Sequence, residues 1–142
     1  MSGLYAPSPG GRTRIRAIRA LFSNHRYECT PEGRACRLLR EWLSPAQRTQ
    51  FTRSRYFDVV GGQTGTSYRI YPDTSMNVYA LDCCGRAHRG LCFMPVGELP
   101  IGDVMLAQKL ALESCEGNAL AIAKQFTPRG SYFRPTSLTR HV

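Results

Sequence analysis

Lysine is nearly absent: two residues against seventeen arginines, in a chain of 142 residues with a formal net charge of +9. The Gly61-Gly62-Gln63-Thr64-Gly65-Thr66 loop therefore lacks the lysine, and also the following helix, of a phosphate loop, and reads as a hairpin turn. Histidine is almost as scarce, with three residues. His25 and His141 fall in flanking segments, which leaves too few bases for most hydrolytic schemes. No apolar run approaches the length of a bilayer, so membrane insertion is not expected. Met1 to Pro7 lacks the basic-then-apolar build of a signal peptide, and the expected location is the cytoplasm. Six cysteines in that setting read as reduced thiols rather than a disulfide framework, several of them packed as small hydrophobes. Trp42 is the only tryptophan, and a lone aromatic in a helix is expected in the core.

What is present begins with the run from Tyr56 to Met94. Tyr56–Val60 is rich in aromatic and β-branched residues that suit a pleated, half-buried surface. The glycine-rich loop ends it, and Ser67–Tyr71 resumes an extended pattern up to the turn Pro72-Asp73-Thr74-Ser75. Met76–Leu81 and Gly90–Met94 add two short runs, parted by Asp82-Cys83-Cys84-Gly85-Arg86 and closed by Pro95. Turns this short favour antiparallel neighbours. The expectation is a small antiparallel meander of three to four strands, which needs helices on its apolar face to be stable.

Helices are available on both sides. Arg12–Asn24 places Ile15, Ile18 and Phe22 on one face and arginines on the other, a basic amphipathic helix. Thr30-Pro31-Glu32 combines a capping hydroxyl, a proline at the first helical position and an early acid, predicting a helix to about Trp42 with Cys36, Leu39 and Leu43 as its apolar stripe. Ser44-Pro45-Ala46-Gln47 matches a capping box and starts a helix to Ser54 that presents Phe51 to the core. Asp103 stands at the N-cap of a long helix predicted over 103–126, with Val104, Ala107, Ala111, Cys115, Ala119, Ile122 and Phe126 facing the sheet. Gly117-Asn118 is the expected kink, and Lys109 with Glu113 an exposed ion pair. The fold class is α+β: a disordered lead over 1–11, one domain over 12–126 (basic helices 12–55, sheet 56–94, helix 103–126) and a flexible basic tail over 127–142.

Charge is spread unevenly. Arg12 to Arg55 carries eleven arginines against three glutamates, Tyr56 to Phe126 is net −2, and the tail adds three more arginines. Arginine forks match phosphate oxygens in two-point geometry, so the asymmetry suits DNA or RNA held by the N-terminal helices. Arg12, Arg14, Arg16 and Arg19 carry that expectation, extended by Arg34, Arg37, Arg40, Arg48, Arg53 and Arg55. Phosphate contacts of this kind give affinity without sequence choice. A basic surface that only keeps the protein soluble has the same composition.

Cys83, Cys84, His88 and Cys92 are the one cluster with zinc-ligand chemistry. Adjacent cysteines tend to diverge, unlike the cysteines two to four apart of zinc ribbons and fingers, and the Cys-x-His pair of SWIM-type modules, whose strand-then-helix order is similar, is missing. No metal and no cofactor is assigned. A Cys83 or Cys84 nucleophile with His88 as base and Asp82 as orienter needs a lowered thiol pKa that the sequence does not show.

Tyr56-Phe57-Asp58-Val59-Val60-Gly61, Tyr68-Arg69-Ile70, Leu91-Cys92-Phe93 and Gly102-Asp103-Val104-Met105-Leu106-Ala107-Gln108-Lys109 together resemble a group of short bacterial proteins of uncharacterised function, some encoded near mobile elements. The resemblance covers about Leu38 to Phe126 and implies one compact bacterial domain, with no mechanism. The expected function is therefore a small, non-enzymatic basic binding protein, nucleic-acid-associated or regulatory. Two alternatives remain: a structural or adaptor component of a larger assembly such as a phage particle, with its termini ordering against a protein partner, and a zinc-stabilised module.

Overall fold

Thr30 opens the first helix among the described residues, α1 (Pro31–Trp42): its Oγ1 accepts the Gly33 N–H at 3.0 Å, and Pro31 occupies a position whose N–H would have no partner. The computed structural model of the protein describes residues 29–128. The lead 1–11, the helix expected over Arg12–Asn24 and the tail from residue 129 lie outside the described residues.

Helix α2 (Pro45–Ser54) starts at the expected capping box, in which Ser44 Oγ accepts the Gln47 N–H at 3.2 Å and Gln47 Oε1 accepts the Ser44 N–H at 3.0 Å. It ends on Arg55, whose φ of 63° closes the helix in the left-handed region. The chain then enters the sheet at once: β1 (Phe57–Val60), β2 (Ser67–Ile70), β3 (Val78–Leu81), β4 (Ala87–Cys92) and, after the long helix α3 (Ile101–Ile122), β5 (Lys124–Phe126). All neighbours are antiparallel, in the order β1-β2-β3-β4-β5. The meander thus has five strands, not three or four. The fifth is missed by a periodicity reading because it has three residues and directly follows the helix.

Register decides the two faces. Phe57 pairs with Ile70, Val59 with Tyr68, Tyr68 with Ala80, and both Ile70 and Leu91 flank Val78. These seven residues are at most 1% exposed and form the inner face. They share one core with Cys36, Leu39 and Leu43 of the α1 segment, Phe51 of α2, and Ile101, Met105, Leu112 and Ala119 of α3. Phe51 and Phe57 meet edge to face at 5.7 Å. Helix α3 lies very close to α1: a Cβ on Gly102 would sit 2.6 Å from the Ala35 carbonyl carbon, so only glycine permits this approach.

Several expectations for α3 are corrected. It runs over Ile101–Ile122 rather than 103–126, and Phe126 belongs to β5. Its N-cap residue is Pro100, not Asp103, which lies in the first turn. The Ile101 N–H is satisfied from outside, by Glu32 Oε2 of α1 at 3.0 Å. Non-helical backbone falls at Cys115 (φ −140°, ψ 49°), two residues before Gly117-Asn118. Ala107, Cys115 and Ile122 are exposed, whereas Met105, Gln108, Lys109, Leu112 and Glu116 are buried. The pair Lys109–Glu113 is real at 2.5 Å, but Lys109 is buried rather than exposed. Trp42, expected in the core, is 55% exposed.

The buried polar side chains of α3 are paired. Gln108 and Asn77 exchange two amide hydrogen bonds, at 2.8 and 2.9 Å, and Asn77 Nδ2 also donates to the Tyr71 carbonyl at 2.9 Å. Gln47 Nε2 donates to the Asp58 carbonyl and to Glu113 Oε1, tying α2 to β1 and α3. Arg89, inward on β4 beside Ala80, has an Nε buried with no hydrogen-bond partner among the described residues.

Candidate nucleic-acid interface

With the helices on the inner face, strand alternation sends a second set of side chains to the outer one. Arg69 follows Tyr68, Tyr79 pairs with both Arg69 and Gly90, and Gly90 pairs with Phe126, so these residues form one row across β2 to β5. Tyr56, just before β1, and Tyr71, just after β2, join them. The rings make a continuous ladder: Tyr56–Tyr71 at 5.1 Å, Tyr71–Tyr79 at 5.5 Å and nearly perpendicular, Tyr79–Phe126 at 5.5 Å and 79°. Tyr71 is exposed and Tyr56, Tyr79 and Phe126 are half-buried, so the ladder presents part of its ring surface on the outer face. Phe126 can lie flat on β4 because Gly90 has no side chain there; a Cβ would collide with the ring.

Arg69 is held rigidly in this face. Its Nε and Nη2 donate to the two Asp58 carboxylate oxygens at 2.8 and 3.0 Å, and its guanidinium sits 4.2 Å from the centre of the Tyr56 ring. The Asp58 hydrogen bonds hold the guanidinium firmly protonated, raising its already high pKa. Tyr79 is pushed up from its ordinary pKa by burial first and by Tyr71 and Asp73 next, so it stays a neutral phenol at physiological pH. Beside the ladder lies a cleft of about 740 Å³ whose walls include Tyr71, Tyr79, Met76, Arg86, Phe126 and Pro128. The outer face therefore offers aromatic surface, one fixed guanidinium and a second arginine at the β3–β4 turn.

The other end of the sheet is built around a buried acid. Glu116 of α3 is fully buried and accepts four hydrogen bonds from the β1–β2 hairpin: Gln63 N–H at 3.0 Å, Thr64 N–H at 2.7 Å, Thr64 hydroxyl at 2.5 Å and Tyr68 hydroxyl at 2.6 Å. Burial alone would raise its pKa. The Thr64 and Tyr68 hydroxyls and the two backbone N–H groups outweigh that and hold it down at about 2. Tyr68 in turn is pushed up to about 12 by burial and by the adjacent carboxylate. The glycine-rich hairpin does form a small anion-binding nest, and the protein's own carboxylate fills it. Glu116 is thus a structural tether, saturated by donors and not available as a base.

No family model, curated protein or solved structure matches this chain.

The arginines expected to carry binding are placed differently from the ladder. Arg12, Arg14, Arg16 and Arg19 lie outside the described residues. Arg34 donates to the Cys29 carbonyl at 3.2 Å, and Arg37 faces Glu41 at 3.5 Å on the exposed side of α1. Arg40 donates to Thr52 Oγ1 and covers the Phe51 ring, while Arg48 donates to the carbonyls of Arg40 and Leu43 at the end of α1. Arg53 and Arg55 are exposed near the end of α2. Arg40 and Arg48 thus hold α1 to α2, and all six described arginines of this set lie on α1, on α2 or at the end of α2.

Cys83 and Cys84 are exposed at the β3–β4 turn, His88 is exposed on β4, and Cys92 lies 3.7 Å from the Met94 sulfur. Among the described residues, no three His, Cys, Asp or Glu side chains are grouped to hold a metal ion, and no described helix is long and apolar enough to cross a membrane. The residues that the sequence reading missed are Tyr56, Arg69, Tyr71, Tyr79, Arg86 and Phe126. The signal was available in part: in Ser67–Tyr71, burying Tyr68 and Ile70 necessarily sends Arg69 and Tyr71 to the opposite side.

Proposed function

We propose that this protein binds single-stranded nucleic acid, without catalysis, on the outer face of its sheet. The observation that supports this is the ladder Tyr56–Tyr71–Tyr79–Phe126 with Arg69 locked beside it by Asp58. Exposed rings on a sheet stack unpaired bases, and stacking tolerates any sequence because every base has a π-face. A duplex hides those faces, so single strands are the better match. The described residues are close to neutral, with eleven basic against nine acidic side chains; most of the +9 is in the flanking segments. In this reading the sheet supplies the base contacts, and the arginines of residues 1–28 and 129–142 add phosphate contacts.

The test is fluorescence anisotropy with labelled single-stranded RNA, single-stranded DNA and duplex DNA across a salt series. Single strands are expected to bind more tightly than duplex. Tyr71→Ala and Tyr79→Ala should each weaken binding about 5- to 150-fold, the equivalent of about 1–3 kcal/mol per stacked base. Replacing Arg12, Arg14, Arg16 and Arg19 with alanine should reduce the salt slope and preserve the preference for single strands. Duplex binding that ignores the tyrosine changes and disappears with the arginines would overturn the sheet-face assignment. No binding of any nucleic acid at low salt would leave the adaptor alternative in its place.

A further inference from the structure

The β3–β4 turn places two thiols side by side, and neither the sheet face nor the core uses them. Cys83 and Cys84 are both exposed, with sulfurs 3.9 Å apart. The turn that carries them is built before any ligand arrives. Asp82 Oδ1 accepts the N–H groups of Cys84 and Arg86 at 2.8 and 2.9 Å, and the Asp82 N–H donates to the Arg86 carbonyl at 2.8 Å. Gly85 takes the positive φ of 75° that the turn needs.

A disulfide is a poor fit for this pair. Neighbouring residues have Cα atoms about 3.8 Å apart across a trans peptide, short of the roughly 4.4–6.8 Å that disulfides span, so direct S–S bonding strains the turn. Inserting one atom between the sulfurs removes that conflict, because each sulfur then bonds to the inserted centre and not to the other sulfur. Thiolate sulfur is soft and selects soft centres. We propose that Cys83 and Cys84 form a two-thiol site for a soft, thiophilic centre of low coordination number, with trivalent arsenic as the ligand class. With an organoarsenic oxide, R–As=O, two S–H bonds break and two As–S bonds form. The oxygen leaves as water with both thiol protons, and the arsenic stays trivalent. No oxidant or reductant is required. The two thiols take no part in the proposed nucleic-acid face, although Arg86 of the same turn belongs to it and lines the cleft with Gly85.

The experiment uses the full chain, reduced and then freed of reductant. One equivalent of phenylarsine oxide is added, excess glutathione is used next to remove singly bonded adducts, and remaining thiols are alkylated with iodoacetamide. Trypsin cleavage after Arg69 and Arg86 releases the peptide Ile70–Arg86, whose only cysteines are Cys83 and Cys84. The expected result is one phenylarsenic group on this peptide, retained through glutathione, released by 2,3-dimercaptopropanol, with Cys29 and Cys115 alkylated. Cys83→Ser and Cys84→Ser should each lose the retained adduct completely while keeping the thermal unfolding midpoint of the wild type, since both side chains are exposed. Adduct spread over Cys29 or Cys115, adduct removed by glutathione, or retention in either single variant would each overturn the assignment.

Discussion

Replacing Glu116 with glutamine changes one oxygen to an amide nitrogen and leaves the shape almost untouched, so it isolates the charge at the centre of the hairpin tether. In the wild type the carboxylate accepts four hydrogen bonds, and its pKa falls from 4.5 to about 2. At about 1.4 kcal/mol per tenfold change in proton affinity, this corresponds to about 3 kcal/mol. Gln63 and Thr64 are themselves exposed, and screening there reduces the expected contribution to about 2 kcal/mol. The direction of the shift sets the sign. A carboxylate with a depressed folded-state pKa stabilises the fold fully above its unfolded value near 4.5, and that stability is lost as pH falls through about 2. Urea unfolding at pH 7, 5, 4, 3 and 2 should therefore show Glu116→Gln about 2 kcal/mol less stable than the wild type at pH 7. The two should converge by about pH 2, because the other carboxylates titrate alike in both proteins. A constant difference across the whole range, or no difference at pH 7, would refute the claim that this acid is held ionised by the hairpin.

Close packing and buried pairing lead to three further outcomes. Gly102→Ala should lower stability by about 1–3 kcal/mol in urea unfolding, because its Cβ would fall 2.6 Å from the Ala35 carbonyl carbon and force α3 away from α1. Gln108→Leu should cost about 1–3 kcal/mol by leaving the buried Asn77 Oδ1 without its donor, and the double change with Asn77→Leu should cost clearly less than the sum of the single changes. Ser44→Ala should cost about 1 kcal/mol by removing half of the capping box at the start of α2, read in the same assay.

The local devices of this fold are legible in the sequence because each acts within a few residues. Thr30-Pro31 and Ser44-Pro45-Ala46-Gln47 start α1 and α2 where their side chains can satisfy free N–H groups. The turns at Gly61–Thr66 and Asp82–Arg86 stand between strands of the expected antiparallel sense. What only the tertiary structure decided depends on partners far away in the chain. Helix α3 has alanines in several phases, and its buried side also carries Gln108, Lys109 and Glu116, so apolar periodicity placed Val104, Ala111 and Ala119 correctly but put Ala107, Cys115 and Ile122 on the wrong side. Gln108 and Glu116 are tolerated inside because Asn77, 31 residues away, and the β1–β2 hairpin, up to 53 residues away, supply their hydrogen bonds. Trp42 is exposed because the α1 face that packs on α3 is the one carrying Ala35, Cys36 and Leu39. The aromatic ladder joins rings from residues 56, 71, 79 and 126, and only the pairing of five strands brings each within 5.5 Å of the next. Caps and turns are written in short range; which face is inside, and what the other face collects, is set by long-range register and by burial of the best-packed side.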